Sequence, residues 1–523
     1  MKSSIKFLPT DLSSFKIMRE GNYLYVDKTQ HIYDLISGGS RCFFLSRPRR
    51  FGKSLLISTL NELFSGNKEL FKGLDLYKKM KQWPVHPVLH IDLSLLQRDT
   101  PAELKQALSD LLKKLGKKHK IDLSEDKTIS GKFRTLVTEL SEKNKVVLLI
   151  DEYDKPILDH VDNPVVADEM RKILSGFYGV IKGLDSSLAF VFITGVSKFT
   201  KTSIFSGLNN LNDITLDPRY ATLVGYTQQE LEHNFKDYLV DFAKIQKMSK
   251  QKTLEELKRW YNGYCFTPHA TTVYNPYSIT SAFDKKHFGN FWFASGSPSF
   301  LMKLIKKYDF PLLELDHSLI SEYELNPSDV EQLRLEAILV QAGYLTIESY
   351  NPMSKNYMLT YPNYEVTESF IKNVATLMTH KKISQFNDLA QQLRQYLLNN
   401  DPEGLLTMIY TFLAGVPYSV RIGVERFYQS ILYTIFKIIG ADVIVEDATN
   451  IGRIDITLQT ATHIYLIELK AKASAKKALE QIMTRRYFEK FKNDKKQVVL
   501  IGLSLNQKKN NLSKQWIIKT AKP

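Results

Sequence analysis

The chain has 523 residues, which corresponds to about three domains of roughly 150 residues each. Its composition, 43% hydrophobic and 24% charged, is that of an ordinary globular protein, and no apolar run approaches the ~18 residues that span a bilayer, so we expect no membrane association. The formal net charge of +15 is concentrated at the end of the chain, where residues 471–523 hold 14 Lys and Arg against 3 Asp and Glu. A basic end of this kind is expected of a polyphosphate binder, although a solvated, solubilising face has the same composition.

The location predicted by the sequence is the cytoplasm. Residues 1–25 have no continuous apolar core, so we expect no secretory signal. The chain has two cysteines, Cys42 and Cys265. His269 follows Cys265 by four residues, but two possible ligands do not make a zinc site. Neither a disulfide framework nor a structural metal is expected, and a reducing compartment fits best.

The first half of the chain alternates strands and helices. Short apolar strands are predicted at residues 42–45, 88–93, 146–150 and 189–193, and amphipathic helices at 55–64 and 101–113. This order predicts a parallel sheet with helices on both faces. A helical region is expected over 227–307, a β-like segment near 343–360 and further helices over 367–410. From Glu425 onward the pattern is helix, strand, strand, helix, strand.

Residues 47–54, which we name the phosphate loop, join the first strand to its helix. In such a loop the backbone N–H groups and the helix N-terminus surround phosphates, a Lys reaches the outer phosphates and a Ser or Thr hydroxyl binds Mg²⁺. We therefore predict that ATP is bound by Arg50, Phe51, Gly52, Lys53, Ser54 and Leu55. The usual pattern G-x-x-x-x-G-K-[ST] has a glycine at position 47, where this chain has Arg47.

Acids at the end of the third strand predict the chemistry of that nucleotide. Residues 146–150 are apolar and run directly into Asp151 and Glu152. We predict that Asp151 holds the Mg²⁺ shell together with Ser54, and that Glu152 polarises the water that attacks the γ-phosphate. The strand at 189–193 ends at Thr194, which we predict senses the γ-phosphate; a hydroxyl that caps a turn is the alternative.

These residues resemble a family: bacterial AAA-ATPase-like proteins with a C-terminal PD-(D/E)XK nuclease domain. The resemblance covers nearly the whole chain and rests on residues 25–29, 45–55, 149–156, 260–264 and 273–277. The Arg-Pro-Arg-Arg form of the loop is typical of this family, so Arg47 does not weigh against an ATP site. The resemblance implies an ATPase domain (1–225), a helical lid and winged-helix-like region (226–410) and a nuclease-like domain (411–523).

Three arginines have open roles. Arg49 or Arg50 could contact the nucleotide, a neighbouring subunit or only surface acids. Arg219 could serve as an arginine finger.

A second candidate site lies near the C-terminus. Residues 452–457 and 464–470 are predicted strands, and a turn centred between residues 461 and 462 places Asp455 opposite Glu468. Glu468 and Lys470 are two apart and share a face. Two facing carboxylates repel each other unless a cation lies between them, so we predict an Mg²⁺ or Mn²⁺ site for phosphodiester cleavage, with Lys470 orienting water. A one-residue register slip would break this arrangement, and a surface Asp with a Glu/Lys pair is the alternative.

This hairpin resembles the restriction-endonuclease-like core of the PD-(D/E)XK superfamily, whose motif Asp455, Glu468 and Lys470 match. The resemblance implies that Glu425 is an upstream metal or water ligand and that Gln481 contacts metal-bound water or phosphate. The basic residues on the following helix would grip a DNA backbone without reading its sequence; they are Lys476, Lys477, Arg485 and Arg486.

We therefore predict an α/β protein in which an ATP-hydrolysing P-loop domain is coupled to a restriction-endonuclease-like, metal-dependent nuclease that cleaves DNA. A homo-oligomer and a role in defence or mobile-element control are further expectations. One alternative is a nucleotide-driven signalling or oligomerisation switch whose C-terminal domain binds nucleic acid without cutting. Another is a secreted effector that acts in a different cell.

Overall fold

The computed structural model describes residues 5–198, 210–268, 271–295, 315–325, 334–379, 382–415, 424–449, 451–506 and 511–521. The chain divides into two compact units. The first comprises residues 1–304 and 317–365, and the second comprises residues 305–316 and 366–523. The three-domain boundaries expected from the sequence stay predictions.

A five-stranded parallel sheet forms the centre of the first unit. Its strands are β1 (Cys42–Ser46), β2 (Val88–Asp92), β3 (Val146–Asp151), β4 (Leu188–Gly195) and β5 (Asn212–Asp213). They lie in the order β2-β3-β4-β1-β5, and every neighbouring pair is parallel. All residues of β1 and β3 are buried, as a strand covered on both faces requires. The predicted strands and the α/β class are confirmed.

Helices cover this sheet. They are α1 (Phe15–Glu20), α2 (Thr29–Ser37), α3 (Lys53–Phe64), α4 (Asp75–Lys79), α5 (Pro101–His119), α6 (Ile129–Ser141), α7 (Lys155–Leu158) and α8 (Pro164–Tyr178). The connection through α3 runs from β1 to the far edge at β2, whereas those through α6 and α8 run back towards β1. Because parallel crossovers are right-handed, opposite directions place α3 on one face and α6 and α8 on the other.

The rest of the first unit is mainly helical. Its helices are α9 (Gln228–Asn234), α10 (Lys236–Ile245), α11 (Lys250–Tyr261), α12 (Pro276–Lys285), α13 (Phe291–Ala294), α14 (Glu322–Leu325) and α15 (Leu335–Ala342). A two-stranded ribbon is formed by β6 (Tyr264–Cys265) and β7 (Thr272–Val273), and a three-stranded antiparallel sheet by β8 (Ser318–Ser321), β9 (Thr346–Asn351) and β10 (Asn356–Thr360). An apolar core that includes Phe235, Leu257 and Phe283 holds the helices together. The end of the helical region predicted to reach residue 307 lies outside the described residues.

The second unit joins helices to a mixed sheet. Its helices are the continuation of α16 (Tyr364–Thr379), then α17 (Ile383–Leu398), α18 (Pro402–Ala414), α19 (Val424–Ile438) and α20 (Ala475–Thr484). Its strands are β11 (Asp442–Thr449), β12 (Gly452–Gln459), β13 (His463–Lys470), β14 (Gln497–Asn506), β15 (Asn511–Leu512) and β16 (Ile517–Ala521). The order is β11-β12-β13-β14-β15, with β16 also paired to β14. Strand β11 is one more than the sequence predicted before the hairpin.

Two expectations from composition can be compared with this fold. In the part of the chain that the structure describes, no helix is long and apolar enough to cross a membrane. Cys42 and Cys265 are both buried free thiols, while His269 lies outside the described residues.

Candidate functional site

The predicted nucleotide residues meet at one edge of the parallel sheet. Strand β4 lies between β3 and β1, with Ile193 beside Ile150 and Thr194 beside Leu45. The carboxyl ends of these three strands therefore bring Asp151, Thr194 and the phosphate loop side by side. Ligands of open α/β sheets bind at this edge.

The phosphate loop ends at a helix N-terminus. Gly52 precedes the first residue of α3 with a φ of 93°, which suits glycine because a Cβ is disfavoured in that conformation. The first N–H groups of α3 have no partner within the helix and can bind an anion. The buried Lys53 Nζ donates hydrogen bonds of 3.1 Å to the carbonyl oxygens of Arg47 and Pro48, and it lies 3.5 Å from Glu152 Oε1. The lysine is held inside the loop by carbonyl oxygens that phosphate oxygens could replace.

Asp151 and Thr194 are directly linked. Thr194 Oγ1 donates a hydrogen bond of 2.5 Å to Asp151 Oδ1, and both side chains are buried. Glu152 has a φ of 51°, a conformation that is rare for non-glycine residues and clusters at functional sites. The two neighbouring acids thus have different surroundings. The Asp151 carboxylate is buried and held by Thr194, whereas the Glu152 carboxylate lines a cavity.

A cavity of about 460 Å³ opens beside this edge. Its polar wall includes Gly52, Lys53, Ser54, Glu152 and Lys155. Its apolar wall includes Leu12, Leu24, Val26, Ile32, Leu223 and Tyr226. Volume and lining together suit a ligand with an apolar end and an anionic end.

At the position of the usual phosphate-loop glycine, Arg47 is buried beneath the loop. Its side chain is buried, it donates hydrogen bonds of 2.9 Å to the carbonyl of Ser46 and 2.7 Å to that of Thr215, and its guanidinium lies 4.1 Å from the Phe266 ring centre. Burial lowers its pKa to about 9, although Asp213 acts in the opposite direction. Arg47 is therefore part of the core under the loop.

The other arginines occupy different surroundings. Arg49 and Arg50 both line the cavity, and the Arg50 guanidinium lies 4.8 Å from the Tyr277 ring centre. Arg219 is exposed and forms an ion pair of 2.6 Å with Asp217. Which of them contacts nucleotide or another subunit stays a prediction.

Sequence reasoning missed the role of Asp154. This buried carboxylate accepts hydrogen bonds from the backbone N–H and the hydroxyl of Ser197, at 2.6 and 2.5 Å, and so ties the segment after β3 to the segment after β4. Burial, and then Glu152, raise its pKa to about 6. An acid three positions beyond an apolar strand carries no distinctive pattern, so composition and spacing do not single it out.

The second candidate site lies on the hairpin of β12 and β13. The ladder pairs Ile456 with Ile467 and Thr457 with Leu466, which is the register predicted from the turn. Asp455 and Glu468 are the next positions in that register. Asp455 Oδ2 accepts a hydrogen bond of 2.7 Å from the N–H of Leu469, and Lys470 Nζ donates one of 2.8 Å to Glu468 Oε1.

The residues implied by resemblance also reach this hairpin. Gln481, on α20, donates a hydrogen bond to Glu468 Oε1, and Glu425, on α19, accepts one of 2.9 Å from the N–H of Ala471. Gly502, on β14, permits the approach of α20, because a Cβ there would lie 2.3 Å from the carbonyl oxygen of Ala475. Close helix packing thus brings Gln481 to Glu468.

The electrostatics of the hairpin favour a cation. Burial, followed by the nearby Glu468, raises the pKa of Asp455 to about 7, and burial also raises the pKa of Glu468. Glu468 is 1% exposed, and its Oε2 has no hydrogen-bond partner among the described residues. A buried, unsatisfied carboxylate oxygen is costly unless a donor or a metal completes it. Asp455 and Glu468 therefore fit a divalent cation.

Glu425 is less well placed for that cation. In the described part of the chain, no group of three or more His, Cys, Asp or Glu side chains is gathered as a metal site. The Glu425 carboxylate binds the Ala471 N–H, while Asp455 and Glu468 supply the crowded pair. Its role as a third ligand stays a prediction.

The basic residues of the predicted DNA-binding surface are exposed. Lys476 and Lys477 lie in the first turn of α20, and Arg485 and Arg486 follow its last residue. Arg486 pairs with Glu489 at 2.6 Å, and Arg485 donates a hydrogen bond of 3.2 Å to the Tyr487 hydroxyl. Such cations can contact phosphates from the surface of the unit.

Comparisons with known proteins match the two candidate sites to two different family models. Residues 9–205 match the family model described as predicted AAA-ATPase, and residues 423–515 match that of the PD-(D/E)XK nuclease superfamily. An uncharacterized protein in the vnfD 5′ region of Azotobacter chroococcum mcd 1 is 36% identical over 517 residues, covering 96% of this chain and 97% of that protein.

Two solved structures show weaker likeness. A Walker-type ATPase of Pyrococcus abyssi has a TM-score of 0.35 at 13% identity, covering 67% of this chain and 96% of that one. The Aeropyrum pernix ORC1 protein, solved in complex with DNA, has a TM-score of 0.25 at 10% identity, covering 69% and 98%.

Proposed function

Since the chain belongs to the predicted AAA-ATPases that carry a C-terminal PD-(D/E)XK nuclease superfamily domain, we propose that it hydrolyses ATP and cleaves DNA at two separate sites. The observation that carries the ATPase proposal is the sheet edge where Asp151, Thr194 and the phosphate loop lie together beside the cavity. The observation that carries the nuclease proposal is the buried Glu468 Oε2 beside Asp455, which has no hydrogen-bond partner in the part of the chain that the structure describes.

At the first site, the cavity accommodates a nucleotide with its phosphates at the loop. Lys53 leaves the carbonyls of Arg47 and Pro48 to bind the outer phosphates, and the N–H groups at the start of α3 complete the anion site. The apolar wall receives the base. Glu152 takes the proton from the attacking water. Thr194 fixes the Asp151 carboxylate, which would hold Mg²⁺ together with Ser54.

At the second site, Asp455 and Glu468 would hold Mg²⁺ or Mn²⁺. Such an ion, when bound, offsets the phosphodiester charge and lowers the pKa of water. Gln481 and Lys470 both donate to Glu468 Oε1, which fixes that carboxylate and leaves Oε2 open. Lys470, on the same face as Glu468, would orient the attacking water or stabilise the pentacovalent phosphate.

A direct test of the ATP site uses two substitutions. Lys53→Ala removes the cation for the outer phosphates and should abolish ATP binding. Glu152→Gln keeps the cavity but removes the base, so ATP should still bind while its hydrolysis falls about 10²- to 10⁴-fold. Equilibrium binding of a fluorescent ATP analogue and release of inorganic phosphate separate the two effects.

The matched controls are Lys143→Ala and Glu142→Gln, on the exposed turn before β3. Both should bind and hydrolyse ATP like the unmodified chain. ATP turnover that persists at the original rate in Lys53→Ala and Glu152→Gln would remove the assignment.

The exposed basic residues of α20 and its C-terminal end support a nucleic acid as the substrate, and we propose that it is DNA. Cytoplasmic location, a homo-oligomer and a role in defence or mobile-element control stay predictions.

A further inference from the structure

An indole holds the phosphate loop from outside the cavity. Trp292 Nε1 donates a hydrogen bond of 2.9 Å to the carbonyl oxygen of Arg49, which lies 243 positions earlier in the chain. A trans peptide points its C=O and its N–H in opposite directions. This bond therefore turns the N–H of Arg50 away from Trp292.

The conformation of Arg50 requires such support. Its φ of 62° lies in the left-handed region, which a non-glycine residue keeps only where surrounding contacts hold it. Arg49 and Arg50 both line the cavity. The Trp292 bond acts on the peptide between these two residues, so it controls which way that peptide presents its donor.

Trp292 is fixed in turn by a buried carboxyl. Glu365 is 0% exposed; its Oε1 accepts a hydrogen bond of 2.6 Å from the backbone N–H of Trp292, and its Oε2 accepts one of 2.7 Å from the Ser278 hydroxyl. A carboxyl buried this deeply is costly and is kept only with hydrogen-bond partners. The three residues form a chain from Glu365 through Trp292 to Arg49.

Apart from the hydrogen bonds that Arg47 makes beneath the loop, the other loop contacts described here are apolar or depend on Lys53. Pro48 packs against Gly343, where even a Cβ would approach the proline ring to 2.7 Å, and the Phe51 ring lies 4.7 Å from that of Tyr264. Lys53 holds the carbonyls of Arg47 and Pro48, but it must release them to bind phosphate. The Trp292 bond differs because it can persist when nucleotide is present.

We propose that Trp292 and Glu365 are positioning residues for the nucleotide phosphates. Trp292 fixes the Arg49–Arg50 peptide so that the Arg50 N–H faces the cavity, and Glu365 fixes Trp292. Glu365 is also the last residue of the first unit, in the first turn of helix α16, whose remainder belongs to the second unit. This inference rests on the proposed ATP site.

The test is Trp292→Phe, which removes the indole donor and keeps an aromatic ring. We expect ATP to bind about 3- to 10-fold more weakly, as loss of one hydrogen bond predicts, while adenosine, which has no phosphates, binds with unchanged affinity. The matched control is Trp83→Phe, because the buried Trp83 Nε1 has no hydrogen-bond partner among the described residues. That control should bind ATP and adenosine like the unmodified chain.

A second variant tests the link between the two residues. Glu365→Ala should weaken ATP binding in the same way, Glu365→Gln should restore most of it, and combining Glu365→Ala with Trp292→Phe should add little, because Glu365 holds the backbone of Trp292 and acts on the loop only through the indole bond. If Trp292→Phe fails to fold, the ATP and adenosine affinities of Glu365→Ala and Glu365→Gln test the same proposal.

The outcomes are separable from failure of the ATP site itself. If the unmodified chain binds no ATP, or Lys53→Ala binds it equally well, the ATP site is wrong and this inference falls with it. If Lys53→Ala abolishes binding while Trp292→Phe and Glu365→Ala leave it unchanged, or weaken adenosine equally, the positioning role alone is overturned.

Discussion

At the scale of single residues, the departure at Arg47 is the most informative. The sequence showed a non-consensus residue, and the resemblance made it a family marker, but neither indicated its physical task. In the structure Arg47 is 1% exposed and bonds the carbonyls of Ser46 and Thr215, so it supports the loop from beneath. A local pattern cannot show this, because the partners are as distant as residue 215.

Arg47→Gly restores the usual phosphate-loop pattern, yet we expect it to destabilise the protein. The change removes the guanidinium's hydrogen bonds to the carbonyls of Ser46, Thr215 and Tyr220 and the stacking on Phe266, leaves a cavity and adds backbone freedom. We expect the free energy of unfolding to fall by about 2–4 kcal/mol in chemical denaturation. Arg219→Gly, which removes an exposed ion pair, should cost about 1 kcal/mol or less. Equal losses in both variants would contradict the core role of Arg47.

Glu365 makes the free energy of unfolding depend on pH. Burial raises the pKa of Glu365 from 4.5 to about 8, against the opposing effect of the Ser278 hydrogen bond. The folded state therefore retains a proton that the unfolded state releases, so this contribution is present below about pH 4.5 and is lost as pH rises through about 8.

We expect the unmodified chain to lose stability relative to Glu365→Gln by up to about 2.7 kcal/mol between about pH 5.5 and about pH 7.5. Denaturant unfolding of both chains at the two pH values measures the difference. Stability profiles that run parallel over this range would show that Glu365 is ionised in the folded state.

At the scale of elements, the confirmed predictions are those in which the pattern of apolar residues is clear. Apolar runs predicted β1 to β4, and alternation with a short turn predicted the register of β12 against β13. Strand β11 was missed because Asp442–Thr449 is an edge strand with acids at 446 and 447 and no apolar run longer than three residues. Its buried Asp447 pairs with Lys490, a contact that depends on the folded sheet.

The packing of α20 on β14 is the element contact that completes the second site. Gly502→Ala would place a Cβ 2.3 Å from the Ala475 carbonyl oxygen and 2.8 Å from the Leu479 nitrogen. We expect the helix to move away from the sheet, at a cost of about 1–3 kcal/mol, and to draw Gln481 away from Glu468. DNA cleavage should then fall together with the melting temperature.

The matched control is Gly176→Ala, on helix α8, where a Cβ would meet nothing within 4 Å. It should leave stability and cleavage unchanged or raise stability slightly, as an alanine does in a helix. If Gly502→Ala cleaves DNA at the original rate, the proposed role of the α20 contact at the nuclease site is wrong.

At the scale of the whole molecule, the two sites belong to different compact units, and each is built from its own sheet. The sequence could predict which residues lie together at each candidate site, because charged residues follow or interrupt apolar strands in a recognisable spacing. It could not predict contacts such as that of Glu365 with Trp292, because they join residues 73 positions apart.

The charge distribution of the whole chain bears on its preference for nucleic acids. The excess of cations over residues 471–523 predicts binding that weakens steeply with salt, as release of counterions from a phosphate backbone requires. Linear, circular and single-stranded DNA and RNA, compared at two salt concentrations, would define the substrate. Binding without cutting of all four, with any divalent cation, would favour the signalling-switch alternative.

The central claim is that the ATP site governs metal-dependent cleavage by Asp455, Glu468 and Lys470. The most direct measurement is the rate at which a labelled DNA duplex is cleaved in the presence of Mg²⁺, with and without ATP. The proteins compared are the unmodified chain, Lys53→Ala and Asp455→Asn. The control is Glu480→Gln, at an exposed position beside Gln481. We predict that ATP changes the rate of the unmodified chain and of Glu480→Gln, leaves that of Lys53→Ala unchanged, and that Asp455→Asn cuts under neither condition. Cleavage by Asp455→Asn, or a rate in the unmodified chain that does not respond to ATP, would contradict the account.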